Sequence, residues 1–530
     1  MYQSEGKSMT NTLKKDKKRK MLVLTFGALI YALLFALGSQ IEQSGSTAFS
    51  QTLLRFTAAF PAALFLLWVI FEKCRFQAKE KHEKPFCGVL KAGAFLLLCD
   101  LPMFLIEYPG SFAYDSYQQA LQVSTGQYST FHPLLYTMLL RAGIAAYSWL
   151  QSLEKCMALV IIIQMVLTAL CFALTCDSLA RSCSPRAARW ALAAFAFWPY
   201  HMVFSCNYMK DTLFSAFLTL FFALTLEELK AKRASFPRIG GEILCGALAC
   251  LLRNNMIYAM LVWGVLLLFI KPPVRRIGFC ALAACVVSMG VNAAMVSTLH
   301  AASGSMREML SVPAQQLARA YRLSPESFDE EDRRLMDVYI EEQRYLKYDP
   351  TIADPVKDKI NEDAIRADRS GALAFWLRIG KRCPGVYLDA FLNTALPMLY
   401  PYQRYSATPD YIETGITEKS IAAPFGQDEP VQPSRFSAIR SWLDAHVWAT
   451  GAADIPLLRW VFNAGVVIWL MGLCVLHAMY TGRWKRFAVL LLPVLLWGTY
   501  LLGPVVQGRY VYPFVCLLPL MLAVSRTKEE

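Results

Sequence analysis

Long apolar runs recur along this chain from Met21 to Val524, and they constrain its fold more than any other feature. A helix needs about 20 apolar residues to cross the hydrocarbon of a bilayer. Stretches as apolar as 157–176 or 261–270 would not stay dissolved alone. In lipid, their backbone groups are satisfied only as helices. The expectation is an all-α polytopic membrane protein, a bundle of roughly 10–13 transmembrane helices with interfacial helices and outer-face loops.

Charge placement sharpens this reading. The chain carries 53 Lys and Arg against 40 Asp and Glu, a net charge of +13. The positive residues cluster between apolar runs, at Lys14–Lys20, Lys73–Lys91, Arg181–Arg189, Lys230–Arg238, Lys271–Arg276 and Arg483–Arg486. That is the positive-inside pattern of membrane proteins. A nucleic-acid protein would instead gather lysines and stacking aromatics on one soluble module, and none is evident. The pattern predicts a multi-pass protein of the cell membrane with both termini cytoplasmic. The 15 cysteines are scattered, mostly within apolar runs, without CxxC pairs or zinc-ligand spacing. They read as small buried hydrophobes.

Alternation along the chain raises one difficulty. If Pro133–Leu150 and Met157–Cys176 both spanned, the basic loop Arg181–Arg189 would land outside. Arg141 and Tyr147 interrupt Pro133–Leu150, which therefore reads as an interfacial helix or a dip into the outer leaflet and back. Every later basic loop then falls inside. The resulting division has a basic cytoplasmic tail at 1–20 and an N-terminal transmembrane module at 21–299, with its first outer loop at 107–156. A charged helical segment on the outer face follows at 300–375. An interfacial and outer segment occupies 376–455, with Arg378–Tyr400 interfacial or re-entrant. The C-terminal transmembrane helices fill 456–525.

The polar residues that break the apolar pattern converge on the expected outer side: Glu107, Asp115, His132, Lys210, Asp211, Arg253, Gln507 and Arg509. An ionisable group costs about 2.5–3.5 kcal/mol at the centre of a spanning helix, so this gathering points to a polar cavity. Asp115, Gln118, Gln119 and Gln122 share one face at helical spacing, after a turn at Pro109-Gly110. A carboxylate there can take a proton from a hydroxyl nucleophile. It can equally be a surface aspartate on an amphipathic helix. His132 orients a substrate or caps the helix that follows Ser129-Thr130. Lys210-Asp211 opens a span, where the helix dipole favours an aspartate in any case. Arg253 and Arg509 suit a phosphate, held through two parallel hydrogen bonds, or they snorkel to lipid headgroups. Glu107 reads as a boundary residue.

In this order the motifs resemble those of the GT-C fold glycosyltransferases, among them the protein O-mannosyltransferases and lipid A aminoarabinose transferases. An uncharacterised bacterial branch of GT-C-like membrane proteins is more similar still. The likeness rests on Tyr-Pro-Gly-x-x-x-x-Asp-Ser at Tyr108–Ser116, on His132-Pro133, on Lys210-Asp211, and on Ser-x-Pro-x-Gln-Gln-x-Ala-Arg at Ser311–Arg319. It covers residues 90–320 and, loosely, 485–515. It implies transfer of a sugar from a polyprenyl-phosphate donor to an envelope glycan, lipid or protein on the outer face. Asp115 then matches the first-loop carboxylate, and Asp211 the second, with Lys210 beside it. Arg253 and Arg509 fall near the donor phosphate; from the residues themselves, Tyr114, Gln118, Gln119 and His132 are candidates to orient substrate. One departure matters: the O-mannosyltransferase motif is an adjacent Asp-Glu, whereas Ser116 follows Asp115 here. Some members use a divalent cation, and two carboxylates can hold Mg or Mn; no other cofactor is implied. Two competing readings remain, a transporter or lipid flippase and a non-catalytic subunit of an envelope-polymer assembly complex.

Overall fold

The computed structural model describes residues 2–73, 85–112, 114–231, 233–401, 435–443, 445 and 456–526. The chain is an all-α membrane protein whose described strands are two residues each. Among the described residues, seven helices are long and apolar enough to cross a membrane by length and composition. They are α1 (Tyr2–Ser44, apolar from Met21 onward), α2 (Phe49–Trp68, continued to Lys73), α3 (Val89–Glu107), α7 (Leu153–Ser182), α10 (Lys210–Lys230), α13 (Val274–Leu299) and α24 (Gly508–Arg526). Shorter helices complete the bundle: α8 (Pro185–Phe197), α9 (Pro199–Ser205), α11 (Phe236–Leu252), α12 (Met256–Leu268), α22 (Ala464–Tyr480) and α23 (Trp484–Tyr500). The expected total of roughly 10–13 counted such segments as full spans. At 1.5 Å per residue, however, α12 is about 20 Å long and α22 about 26 Å, against a hydrocarbon core of about 30 Å.

The helix α10 lies at the centre and packs on α7, α11 and α24. Phe214, Phe221, Phe222 and Leu218 are all fully buried on it, and a helix apolar on every side belongs in the interior. Local sequence fixes the helix starts. Ser152 accepts from the Lys155 backbone N–H at the start of α7, and Ser184 accepts from that of Ala187 at the start of α8, with Pro185 at the first turn. The Trp263 indole donates to the Ala488 carbonyl at 2.8 Å, tying α12 to α23.

The two ends of the bundle differ in charge. At one end Arg181 pairs with Asp177 and Glu227, and the fully buried Glu228 lies between Arg238 and Arg276. Arg483 and Arg486 donate to the carbonyls of Ser525 and Val524 there, both at 2.8 Å. The opposite end carries the polar loops. It also carries a small helical layer made of α14 (Ser311–Leu323), α15 (Glu330–Tyr339), α16 (Asp354–Lys357), α17 (Glu362–Ala367) and α18 (Arg369–Arg382). This layer has its own core of Ala318, Ala320, Met336, Val356, Phe375 and Ile379. The buried carboxylate of Asp332 holds it together by pairing with Arg378 and Arg382.

Two expectations change, and the non-spanning reading of Pro133–Leu150 gains detail. Residues 1–20, read as a tail, continue α1 from residue 2 onward. Once a helix is nucleated, propagation is inexpensive, and Asp16 pairs with Arg19 and Lys20 one turn on. The apolar segment expected from Arg378 begins later, at α19 (Pro384–Leu399). Arg378 and Arg382 instead end α18 because Asp332 claims both. Pro133–Leu150 divides into α5 (Leu134–Ala145) and the one-turn α6 (Tyr147–Leu150); the first is about 18 Å long, too short to span. The outer segment Tyr402–Asp454 lies mostly outside the described residues, as does the loop Lys73–Lys91.

Candidate functional site

The Tyr108-Pro-Gly110 turn places the first part of the site. Gly110 has φ +139°, and a Cβ there would come within 2.7 Å of Ile161 and Tyr208. Only glycine fits such a turn. Beyond it, β1 (Ser111–Phe112) pairs in parallel with β2 (Asn207–Tyr208), Ser111 opposite Asn207. The Ser111 N–H donates to the Cys206 carbonyl at 3.0 Å, and the Ser116 hydroxyl donates to the Tyr208 carbonyl. This short pairing sets α4 (Tyr114–Thr125) beside the start of α10, and so Asp115 beside Lys210.

Asp115 lies at the centre of a charged cluster. Its carboxylate pairs with Lys210 and with the Arg509 guanidinium at 2.9 Å, and it lies 3.7 Å from His132 Nδ1. Lys210 Nζ is also 3.5 Å from His132 Nδ1. Next to this group, the fully buried Asp211 pairs with Arg253. The Arg253 guanidinium lies 4.9 Å from the ring centre of Tyr500 and 4.6 Å from that of Tyr510, and its Nε donates to Asn255 at 3.2 Å. Arg509 reaches the Tyr510 hydroxyl at 3.4 Å. Three cations, two carboxylates and one histidine therefore form one contact network.

The electrostatics follow from that crowding. Burial alone would raise the Asp115 carboxyl, but Lys210 and Arg509 outweigh it and hold the group well below the usual carboxylate range. Burial pushes His132 down to about 3, and Lys210 and Arg509 add to the effect against the pull of Asp115. The imidazole is therefore neutral at ordinary pH. With His132 neutral, the cluster carries a net charge of +1.

Consecutive residues on a helix point about 100° apart, so Lys210 and Asp211, read from sequence as a pair, serve different partners. Gln119 was expected to orient substrate but turns away. It is buried and donates to the Thr137 hydroxyl at 2.9 Å, which fixes α4 to α5. Gln122 accepts from the Ser129 backbone at 3.0 Å. Gln118 is half-buried and has no hydrogen-bond partner among the described residues. The Tyr114 side chain lies outside the described residues. Glu107, expected at a boundary, is buried and pairs with Arg440 at 3.3 Å.

Two supporting residues escaped the sequence reading. Gln164, in the middle of α7, donates to the Asn207 carbonyl at 2.8 Å and accepts from the Tyr136 hydroxyl at 3.0 Å. A lone amide within an apolar run was its signal. Tyr500 carried none, because an aromatic near a helix end is ordinary in membrane proteins.

Flanking segments hold both loops of the site. Thr130, two residues before His132, accepts from the Gly304 N–H at 2.7 Å, and its own N–H donates to Ala302 at 2.9 Å. On the other side, Ala353 of the helical layer donates to Pro504 at 2.7 Å, and Ile352 bridges Val505. The Ser311–Arg319 stretch lies farther off. There Arg319 bonds the Tyr348 hydroxyl at 3.0 Å and the Gly45 carbonyl at 2.5 Å, so its role is to tie the helical layer to the α1–α2 turn.

A divalent cation does not suit this arrangement. Among the described residues, no three or more His, Cys, Asp or Glu converge. Asp115 and Asp211 each face cationic side chains, whereas Mg needs a near-octahedral shell of oxygens.

No curated protein and no solved structure matches the chain. A family model matches residues 122–530. That stretch includes His132, Lys210, Asp211, Arg253 and Arg509, and begins seven residues after Asp115. The chain belongs to the family of unknown function DUF6020.

Proposed function

We propose that this cluster is the catalytic centre of a GT-C-type membrane glycosyltransferase that takes its sugar from a polyprenyl-phosphate donor. The observation that carries the reading is the set of three cations, Lys210, Arg253 and Arg509, closed on two carboxylates at the end of the bundle opposite the basic loops. By the positive-inside rule the basic end faces the cytoplasm, so the cluster faces outward, where a lipid-linked donor and an envelope acceptor meet. Its net charge of +1 matches the single negative charge of a polyprenyl-phosphate sugar, a phosphodiester.

The ion pairs supply a mechanism. At rest, Lys210 and Arg509 neutralise Asp115 and make it a weak base. An arriving phosphate competes for both cations, since charge-assisted bonds to phosphate oxygens are strong. Asp115, relieved of its partners, regains basicity and takes the proton of the acceptor hydroxyl. The hydroxyl oxygen attacks the anomeric carbon, and the bond from that carbon to the phosphate oxygen breaks. Polyprenyl phosphate leaves with the electron pair, and Lys210 and Arg509 stabilise the charge it gains. Arg253, tied to Asp211 and Asn255, positions Asp211 and the aromatic wall. Donor binding thus activates the base only when there is something to transfer.

A transporter or flippase reading draws on Asp100 and Glu242, both buried in helices of the bundle, where transport paths place carboxylates. One comparison addresses the phosphate reading. Purified protein in detergent is heated with polyprenyl phosphate and with the corresponding polyprenol. The phosphate should raise the melting temperature of wild type and do so much less for Arg509→Gln, while the alcohol should leave both unchanged. Equal shifts from phosphate and alcohol would sink the phosphate site.

A further inference from the structure

Five buried polar atoms on or next in sequence to the cluster's residues have no hydrogen-bond partner among the described residues: Asp211 Oδ2, Gln507 Oε1, Arg509 Nε, His132 Nε2 and the Tyr500 hydroxyl. Four of them, on His132, Asp211, Tyr500 and Arg509, belong to residues joined by contacts. Tyr500 stacks on Tyr510 at 5.3 Å, Arg253 joins both rings to Asp211, and Arg509 joins Tyr510 to Asp115. Gln507 immediately precedes the helix that carries Arg509. Native interiors leave few such groups unsatisfied, so several around one charged cluster need an explanation.

Their donor and acceptor character selects the ligand. Lys210 Nζ can only donate, so His132 Nδ1 facing it is the acceptor and Nε2 carries the hydrogen. The free set is therefore two acceptors (Asp211, Gln507), two donors (Arg509, His132) and one hydroxyl that does both. A phosphate or carboxylate offers only acceptors and would leave Asp211 and Gln507 facing lone pairs. An ammonium offers only donors. Hydroxyl groups do both.

We infer that Tyr500, Gln507 and the free oxygen of Asp211 form a subsite for the donor's sugar, and that this sugar is a neutral ring read through its hydroxyls. This rests on the polyprenyl-phosphate reading above. Asp115, Arg253 and Arg509 keep 16%, 11% and 14% of their side chains exposed, while the five unpartnered atoms are closed to solvent. The donor enters past the exposed cations, its phosphate draws Lys210 and Arg509 off Asp115, and its ring meets the unpartnered atoms.

The test is a set of affinity ratios on the full-length protein in detergent. Polyprenyl methyl phosphate, a bare lipid phosphodiester with the donor's single phosphate charge, is compared with the glucose, mannose, arabinose and glucuronate phosphodiesters of the same lipid. At least one neutral derivative should bind about tenfold tighter than the bare lipid, as two or three added hydrogen bonds predict, and the glucuronate form should show no such gain. Tyr500→Phe and Gln507→Leu should each shrink the preference about threefold. Because the ratio is taken within each variant, a loss of folded protein cancels. If every neutral form binds no better than the bare lipid, or the preference survives both substitutions, the sugar subsite is wrong while the phosphate reading stands. If no lipid phosphate binds wild type, both fall together.

Discussion

Removing one member of the Asp211–Arg253 pair should destabilise the protein by an amount that depends on which partner is left. Asp211 is fully buried and Arg253 keeps 11% of its side chain exposed. Breaking a buried pair from one side costs about 3–5 kcal/mol, because a charge is left without its counter-ion. A stranded Arg253 still has the Asn255 oxygen and the faces of Tyr500 and Tyr510, and each cation–π contact contributes about 0.5–1 kcal/mol. Among the described residues, a stranded Asp211 keeps only longer-range attraction to Arg509, and its Oδ2 already has no hydrogen-bond partner. Asp211→Asn should therefore cost about 2–3 kcal/mol and Arg253→Met about 4–5 kcal/mol. The double variant should cost less than Arg253→Met alone, since no charge remains to be stranded. Chemical unfolding of purified protein in detergent, followed by helical circular dichroism, measures all three. A larger loss in Asp211→Asn, or a double variant equal to the sum of the singles, would refute the reasoning.

Acidification should weaken the protein through His132. Its folded value of about 3 lies below the usual value of about 6.5, so between the two the unfolded chain binds a proton that the folded chain does not. Stability therefore falls as pH drops, by about 2 kcal/mol between pH 7 and pH 5, and the depressed Asp115 adds its own loss only below about pH 4. The difference in unfolding free energy between wild type and His132→Asn, followed against pH, should show this slope, and a flat difference would contradict it. Gly304→Ala would place a Cβ 3.2 Å from the Phe131 backbone and shift the loop that carries His132. Thermal stability should stay near wild type while stabilisation by polyprenyl phosphate drops severalfold; unaltered stabilisation would show that the loop position is unimportant. In intact cells, a membrane-impermeant maleimide should label Gln127→Cys above the parental background and leave Arg186→Cys at that background, and the reverse pattern would invert the orientation.

The fold was legible in the sequence wherever periodicity and burial agree. Apolar runs such as 157–176 emerge as α7, and the basic residues Arg181, Arg238, Arg276, Arg483 and Arg486 share one end of the bundle, as the positive-inside pattern requires. Asp115, Lys210, His132 and Arg509 were legible as polar interruptions, and the structure brings them into contact. Their pairing was not legible. Arg253 and Arg509 were assigned to a phosphate from their position at helix ends, but which carboxylate each one faces depends on how α10, α11 and α24 rotate against one another. The stripe from Asp115 to Gln122 had the right spacing for one face, yet that face is divided, since α5 passes close enough to claim Gln119. Glu107 looked like a boundary residue because Arg440 is more than 300 positions away in the chain. Gln164 and Tyr500 act through contacts that only the packed bundle creates.

The most direct test of the central claim is donor-dependent sugar transfer. Purified protein in detergent or liposomes is given a labelled neutral polyprenyl-phosphate sugar and an envelope extract as acceptor, with wild type and Asp115→Asn compared at matched amounts of folded protein. Wild type should move label from the lipid to acceptor in proportion to donor and release polyprenyl phosphate, and Asp115→Asn should lose at least a hundredfold in rate, the scale of a general base. Transfer that persists undiminished in Asp115→Asn would contradict the assignment of the base, and lipid movement across the liposome without any transfer would contradict the enzyme.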